Sequence, residues 1–361
     1  MTKFGSLKQL LGLVASVALF AVVPAGIGFT AGPAKPSLAD TIKKAAQEGE
    51  VVYQGPDPAT SLSTAGMLRD MEAVTEKYFD VKIRVKLDNA LSFPTSVTKA
   101  LTEIKANAPP TFDLMYQISE SGSPLYREKA IEAVPWRELF PHVKAQDLEY
   151  NGLALISHTG FVVPAYNSRS VKTQEVPKTW EDILDRKWKG RLGLPIYPGP
   201  WLLFAQSNAW GEERTLSYLK RLMELNPKLG RFPEVHERVV SGETPLAWGQ
   251  HRERTLSAKE SLGAPVDVAD QVEPALLWVN ILLIPKGARH ANAAALVAAA
   301  MLTKEGQDIQ LRYQSTTSMF RPETPAAKYA SKHKTIMPDV DFILKRGPEL
   351  SKKINAILIK R

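Results

Sequence analysis

Residues 275–311 read ALLWVNILLIPKGARHANAAALVAAAMLTKEGQDIQL. Three unlike segments follow one another there. Residues 275–284 are apolar apart from Asn280, which suits a strand covered on both faces. Pro285-Lys286-Gly287-Ala288 is a turn, since proline fixes φ and glycine accepts the reversal. Residues 291–302 are almost wholly Ala, Val, Leu and Met, before Thr303-Lys304-Glu305-Gly306 brings polar surface back. Such a segment is a helix lying close against its neighbours, because alanine permits near approach.

Working back from that stretch, the first third alternates strand and helix. A helix over 40–47 ends at Gly49, and Glu50-Val51-Val52-Tyr53 is a strand. The rigid loop Gln54-Gly55-Pro56-Asp57-Pro58 follows, and Ser61 or Ser63 then caps a helix through Tyr78. Strand, polar loop and helix start together present free backbone N–H groups to a ligand. Val81–Leu87 alternates as a half-exposed strand, 92–106 is a helix, 113–116 a strand, and 117–122 the loop after it. The order β-α-β-α-β implies a mainly parallel sheet with right-handed crossovers. In open sheets of this kind the ligand sits outside the carboxyl ends of the strands, the edge that carries the 54–61 and 117–122 loops.

A second alternating block runs from a strand over 153–166. It continues with a helix at Thr179, which Asp182 completes as a capping box. A strand over 192–196, a loop over 197–201 and helices from Leu202, over 213–225 and over 233–240 come next. A strand over 242–248, a loop over 249–252 and a strand over 262–266 close the block. After Met337-Pro338-Asp339-Val340-Asp341 a terminal helix offers Leu350, Ile354, Ile357 and Leu358 to a core.

Tyr166-Asn167, then PKTWEDIL over 177–184, KWKGRLGLP over 187–195 and the 275–311 stretch together resemble the solute-binding proteins of ABC importers. The nearest branches are those for ferric iron, thiamine and polyamines. The resemblance implies an α/β, two-lobed periplasmic-binding-protein-like fold, each lobe a mainly parallel sheet flanked by helices. Lobe 1 is expected to comprise 40–158 and 278–322, and lobe 2 159–277 and 323–361, with the terminal helix packed on lobe 2. Strands near 154–162 and 275–284 would be the hinges. It further implies a monomer that takes a small-molecule ligand in the cleft, delivers it to an inner-membrane ABC permease, and needs no cofactor.

Composition narrows the chemistry. The chain has 361 residues, 44% of them hydrophobic, room for two cores. With no cysteine there are no disulfides, thiolate metal sites or thiol nucleophile. Lys3 and Lys8 precede the uncharged apolar run Leu10–Val23, and small residues stand at Ser37 and Ala39. Residues 1–39 therefore read as a signal peptide, cleaved after Ala39 or Ala34, which sends the chain to the periplasm. Three of the 46 basic and none of the 38 acidic residues lie in that leader, which leaves a mature charge of +5. The cations are scattered, so no nucleic-acid partner is expected.

No P-loop, HExxH or nucleophile elbow is present, and the six histidines are too dispersed for a helix-borne metal pair. An enzyme on the same fold is the rival of another class; the expectation is no catalytic residue and no resident metal. For binding, the loops nominate Gln54, Asp57 and Ser61 from the first, and Gln117, Ser119 and Glu120 from the second. Tyr197 and Trp201 come from the third, and Gln250, His251 and Arg252 from the fourth. Ferric-iron relatives typically bring adjacent tyrosines where Gln250-His251 stands here. An organic cation would use Tyr197, Trp201 and Trp248 with Asp57 or Glu120. An organic anion would use Arg252, His251 and helix N-termini near Ser61 and Gly199.

Overall fold

The computed structural model describes residues 37–359. The expected leader lies outside them except for its last three residues. Ser37 caps the helix Leu38–Glu48, its Oγ accepting from Asp40 N at 3.1 Å. A cut after Ala39 therefore falls within the first turn of that helix, and a cut after Ala34 falls outside the described residues.

Eleven strands occur among the described residues: β1 (Glu50–Gln54), β2 (Arg84–Leu87), β3 (Leu114–Ile118), β4 (Leu148–Glu149), β5 (Ala154–Asn167), β6 (Leu192–Pro195), β7 (Lys228–Gly230), β8 (Leu246–His251), β9 (Val266–Val268), β10 (Ala275–Leu283) and β11 (Thr335–Ile336). They join in one sheet whose main path runs β2-β1-β3-β10-β5-β8-β6-β7. Pairing is parallel towards both ends, β1 with β2 and β3, β6 with β7 and β8. It is antiparallel in the middle, where β10 and β5 lie side by side. Two large cores flank that middle, and a third, with Phe112, Phe161, Val163, Leu277 and Ile281, packs on the middle strands themselves. Of the two flanking cores, one gathers Val51, Met71, Val85 and Leu114 under the helix Ala291–Ala300. The other gathers Trp180, Trp201, Leu219 and Trp248 with Leu350, Ile354 and Leu358 of the terminal helix Val340–Ile359. The fold is thus two-lobed, with β5 and β10 crossing from one lobe to the other.

The crossing strands share an irregularity. Asn280 pairs with His158 but Ile281 pairs with Ile156, which leaves Ser157 unmatched. Such a bulge bends and twists the ladder locally, so both crossing strands change direction at one level.

The alanine-rich helix is buried from Ala293 to Ala300. Its N-terminus is met by Glu48, whose carboxylate accepts from Ala293 N at 2.7 Å and Asn292 Nδ2 at 2.6 Å. That places a negative charge where the helix dipole favours it. Thr303 caps the next helix, Lys304–Gln314, by accepting from Gly306 N at 3.1 Å. Gly306 is required there: a Cβ would stand 2.3 Å from Ala300 O, a backbone atom that cannot rotate away.

Several elements differ from expectation. Residues 117–122 are not a loop: β3 continues through Ile118 and the helix Ser119–Arg127 starts at once. The helix expected at Thr179 is instead a single tight turn, Glu181–Leu184. The capping box forms as read, Asp182 N donating to Thr179 Oγ1 at 3.2 Å and Thr179 N to Asp182 Oδ2 at 3.0 Å. The turn stops because Asp185 opens a second one, accepting from Lys187 N at 2.9 Å. The helix expected from Leu202 begins earlier, as Gly199–Ala205, with proline near its start, where no N–H is needed. Residues 249–252 are likewise not a loop. β8 runs to His251 and a polar helix, Arg252–Leu262, follows; because that helix ends on Gly263, the strand expected over 262–266 comes later, as β9 over Val266–Val268. Among the described residues no helix is long and apolar enough to cross a membrane.

Candidate functional site

The carboxyl ends of β1 and β3 belong to the first lobe, those of β6 and β8 to the second. Gln54 ends β1 and Gln117 lies near the end of β3; both are buried. Gln117 Nε2 donates to Gln54 Oε1 at 2.7 Å and Ser96 Oγ at 3.2 Å, and its Oε1 accepts from Ser121 Oγ at 2.8 Å. This amide pair spends most of its bonds on fixing the two strand ends to each other. Asp57 is exposed and ties its loop down, accepting from Thr64 Oγ1 at 3.1 Å and Asn89 Nδ2 at 2.6 Å. Ser119 is buried and donates to Glu149 Oε2 at 3.0 Å. Glu149 itself is pushed up to about 7, chiefly by burial.

Glu120 sits in the first turn of the helix that leaves β3. Burial raises its pKa. Its charge also reaches Tyr197, helping burial to hold that phenol well above its ordinary range. Ile118, the last residue of β3, pairs with Asn280 of the antiparallel β10, so the helix start that carries Glu120 lies on the Trp278 side of that pair.

Around Tyr197 four rings meet. Tyr197 lies 5.5 Å from Trp278 and 6.4 Å from Phe232. His251 lies 4.7 Å from Phe232 and 4.9 Å from Trp278, edge-on to the indole. All four are only partly buried. The Tyr197 ring folds back over Gly199, where a Cβ would come within 2.4 Å of it. Packing between Phe232 and Trp278 strips water from His251 and, with the charge of Arg254 and then His236 adding to it, pulls its pKa to about 4. The imidazole is neutral at neutral pH.

Trp278 is tied to Tyr116 of β3 through Asn280. Trp278 Nε1 donates to Asn280 Oδ1 at 3.0 Å, and Tyr116 OH donates to the same oxygen at 2.7 Å. Tyr116 has then given its only proton, so the 3.1 Å contact with His158 requires Nε2 of that ring to donate. His158 Nδ1 accepts from Ser157 Oγ at 3.2 Å, and burial lowers this histidine to about 3. Phe93 packs on Tyr116 at 5.7 Å. This chain of polar groups crosses β3, β5 and β10 at the level of the bulge.

The remaining nominated residues lie apart from the ring cluster. Trp201 is fully buried and stacks on Trp248 at 4.0 Å, inside the second core. Gln250 is 2% exposed, and its amide nitrogen has no partner among the described residues. Arg252 makes a two-pronged bond to Asp270, Nε to Oδ1 at 2.7 Å and Nη2 to Oδ2 at 2.8 Å, with its guanidinium 4.0 Å over the Tyr329 ring. Ser61 and Arg252 line a cavity of about 840 Å³ between the loop after β1 and the helix Arg252–Leu262, together with Arg254 and Glu253. The structure thus brings Glu120, Tyr197 and His251 together. It adds Phe93, Tyr116, His158, Phe232, Trp278 and Asn280, none of which the loop-based reading nominated. A signal existed for two of them: Asn280 is the only polar residue in the 275–284 run, and Trp278 its only aromatic one. Among the described residues no three His, Asp or Glu side chains converge as metal ligands would.

Glu253 supplies a stability test. Its Oε2 accepts from Phe161 N of β5 at 3.1 Å, while Oε1 has no hydrogen-bond partner and stands 4.0 Å from Arg252 Nη1. Burial pushes its pKa up to about 7 from an ordinary 4.5. Between those values the folded chain holds more protons than the unfolded one, so this group's contribution falls as pH rises from 4.5 to 7. Glu253→Gln should melt like the parent at pH 5 and be more stable at pH 8, by about 3 kcal/mol at most. Thermal melts at the two pH values check this; an equal difference at both would refute it.

Comparison with known proteins follows the same lines. A family described as bacterial extracellular solute-binding protein matches residues 125–346. An uncharacterized protein of Haemophilus influenzae is 26% identical over 249 residues, covering 64% of this chain and 68% of that one. Iron-bound HitA from Pseudomonas aeruginosa superposes with a TM-score of 0.65 at 17% identity, over 84% of this chain and 99% of its own. The periplasmic binding protein AfuA from Actinobacillus pleuropneumoniae, with fructose-6-phosphate bound, gives 0.62 at 21% identity, over 86% and 98%. At these identities the structural likeness establishes the fold.

Proposed function

Because the chain belongs to the family of bacterial extracellular solute-binding proteins, we propose that it is the solute-capturing component of an ABC importer. It works in the periplasm as a monomer and hands its ligand to an inner-membrane permease. Lobe 1 is 40–158 with 278–322, and lobe 2 is 159–277 with 323–361. The cores around Leu114 and around Trp248 each fall within one lobe and support this division, while a third, with Phe112, Phe161 and Leu277, runs along the crossing strands between them. The ligand sits between the lobes, and no bond is broken.

The observation that carries the reading is the polar chain Tyr116–Asn280–Trp278. It runs from Tyr116 past a bulge in the crossing strands to Trp278, at the edge of lobe 1, whose ring packs on Tyr197, Phe232 and His251 of lobe 2. A solute pressed on those rings pulls on the level at which the crossing strands bend. Two lobes joined by two adjacent strands close as rigid bodies about such a level.

The test is small-angle scattering on the mature chain, stripped by unfolding and refolding. It is measured with and without the small-molecule fraction released from the protein as purified. The radius of gyration should fall when that fraction is returned; an unchanged radius would sink the reading.

A further inference from the structure

Resting on the capture reading above, we propose that the captured solute carries a positively charged nitrogen, held between the Glu120 carboxylate and the ring cluster of Tyr197, Phe232, His251 and Trp278.

The rings come first. Four aromatic side chains in mutual contact, all partly exposed, form a wall rather than core. Aromatic faces carry negative potential, and an indole is the best of them for a cation. The edge of Trp278 is already spent, since its N–H donates to Asn280. What it offers a ligand is its face.

The charges agree. Among the described residues Glu120 has no ion-pair partner, and burial without a counter-charge holds its pKa up. A buried carboxylate lacking a counter-ion is costly, and a ligand ammonium removes that cost. The positive candidates nearby do not compete. His251 and His158 are neutral at neutral pH. Arg252 is committed to Asp270. Arg254 is exposed beside the 840 Å³ cavity, and its charge reaches His251. Glu149 and the phenols of Tyr150 and Tyr197 lie within reach of the Glu120 charge; binding a cation favours the ionised carboxylates, so affinity rises with pH as Glu120 and Glu149 lose their protons.

Titration calorimetry at pH 5.5 and 8 tests this, with choline, putrescine and glycine betaine as probes against citrate, phosphate and ferric citrate. At least one nitrogen cation should bind, more tightly at pH 8. Glu120→Gln should weaken it tenfold or more without lowering the melting temperature of the free protein, and Trp278→Leu should weaken it as much when measured well below that variant's own melting temperature. If only citrate, phosphate or ferric citrate binds and shrinks the protein, the cation inference is overturned and solute capture stands. If no probe binds and the protein as purified sheds no nitrogen cation on denaturation in native mass spectrometry, the inference is likewise overturned. Unchanged affinity in Glu120→Gln removes the carboxylate from the site and with it the proposal.

Discussion

Replacing Gly306 by alanine should destabilise the fold by roughly 2–4 kcal/mol. The added methyl would stand 2.3 Å from Ala300 O and 2.5 Å from the Met301 backbone carbon and Cα. Those atoms end the buried helix Ala291–Ala300, which is held on both sides by the first core. Neither helix can shift without opening alanine-to-alanine packing that has no spare volume. The effect is steric alone, because this glycine does not occupy the left-handed region. Thermal and urea unfolding of the alanine variant check it, and a melting temperature within a degree of the parent would contradict it.

The second large effect belongs to Trp201. It is fully buried against Trp248, 6.2 Å from the Tyr218 ring and 6.5 Å from Phe204. Trp201→Ala leaves a cavity that these rigid neighbours cannot fill, at a cost of about 3–5 kcal/mol. The milder Trp201→Phe keeps the chain folded and isolates the role of the ring. It should lower stability while leaving the ligand dissociation constant within twofold of the parent. The reverse pattern, normal stability with lost affinity, would move Trp201 from the core to the binding wall.

These two positions mark what is legible in the sequence. The strand, turn and helix of 275–300 are plain, because burial on all sides writes itself as an unbroken apolar run. Thr303 and Gly306, which the sequence shows only as the return of polar surface, prove to be a cap and a close approach. The helix Arg252–Leu262 is hidden for the opposite reason: only Thr255 on it is buried, so no apolar stripe betrays it. Its signals were Glu253 in the first turn and Gly263 beyond the end, where φ is +62°.

The site is harder still. A tryptophan after a loop reads the same whether it turns to the core, as Trp201 does, or to the cleft, as Trp278 does from mid-strand. Which way a ring faces depends on sheet register, and a single bulge at Ser157 resets it. Glu120, Tyr197 and His251 could be nominated because polar or aromatic residues at strand ends fall near the cleft in any parallel sheet. Phe93, Tyr116, Phe232 and Trp278 are ordinary apolar residues in pattern, and only the tertiary arrangement sets them together.

The origin of the first core has a consequence for how the chain is made. Its strands come from the first 118 residues, and the helix that covers them from 291–300. Roughly 180 residues separate Leu114 from Leu296, yet loop closure grows only slowly with length, so the finished fold loses little by it. The rate is another matter, because contacts this distant in sequence slow folding. Until the alanine-rich segment has left the ribosome, β1, β2 and β3 have the helix Thr64–Phe79 to pack on but lack the one that closes their core. The nascent polypeptide therefore carries an unfinished first core for most of its synthesis.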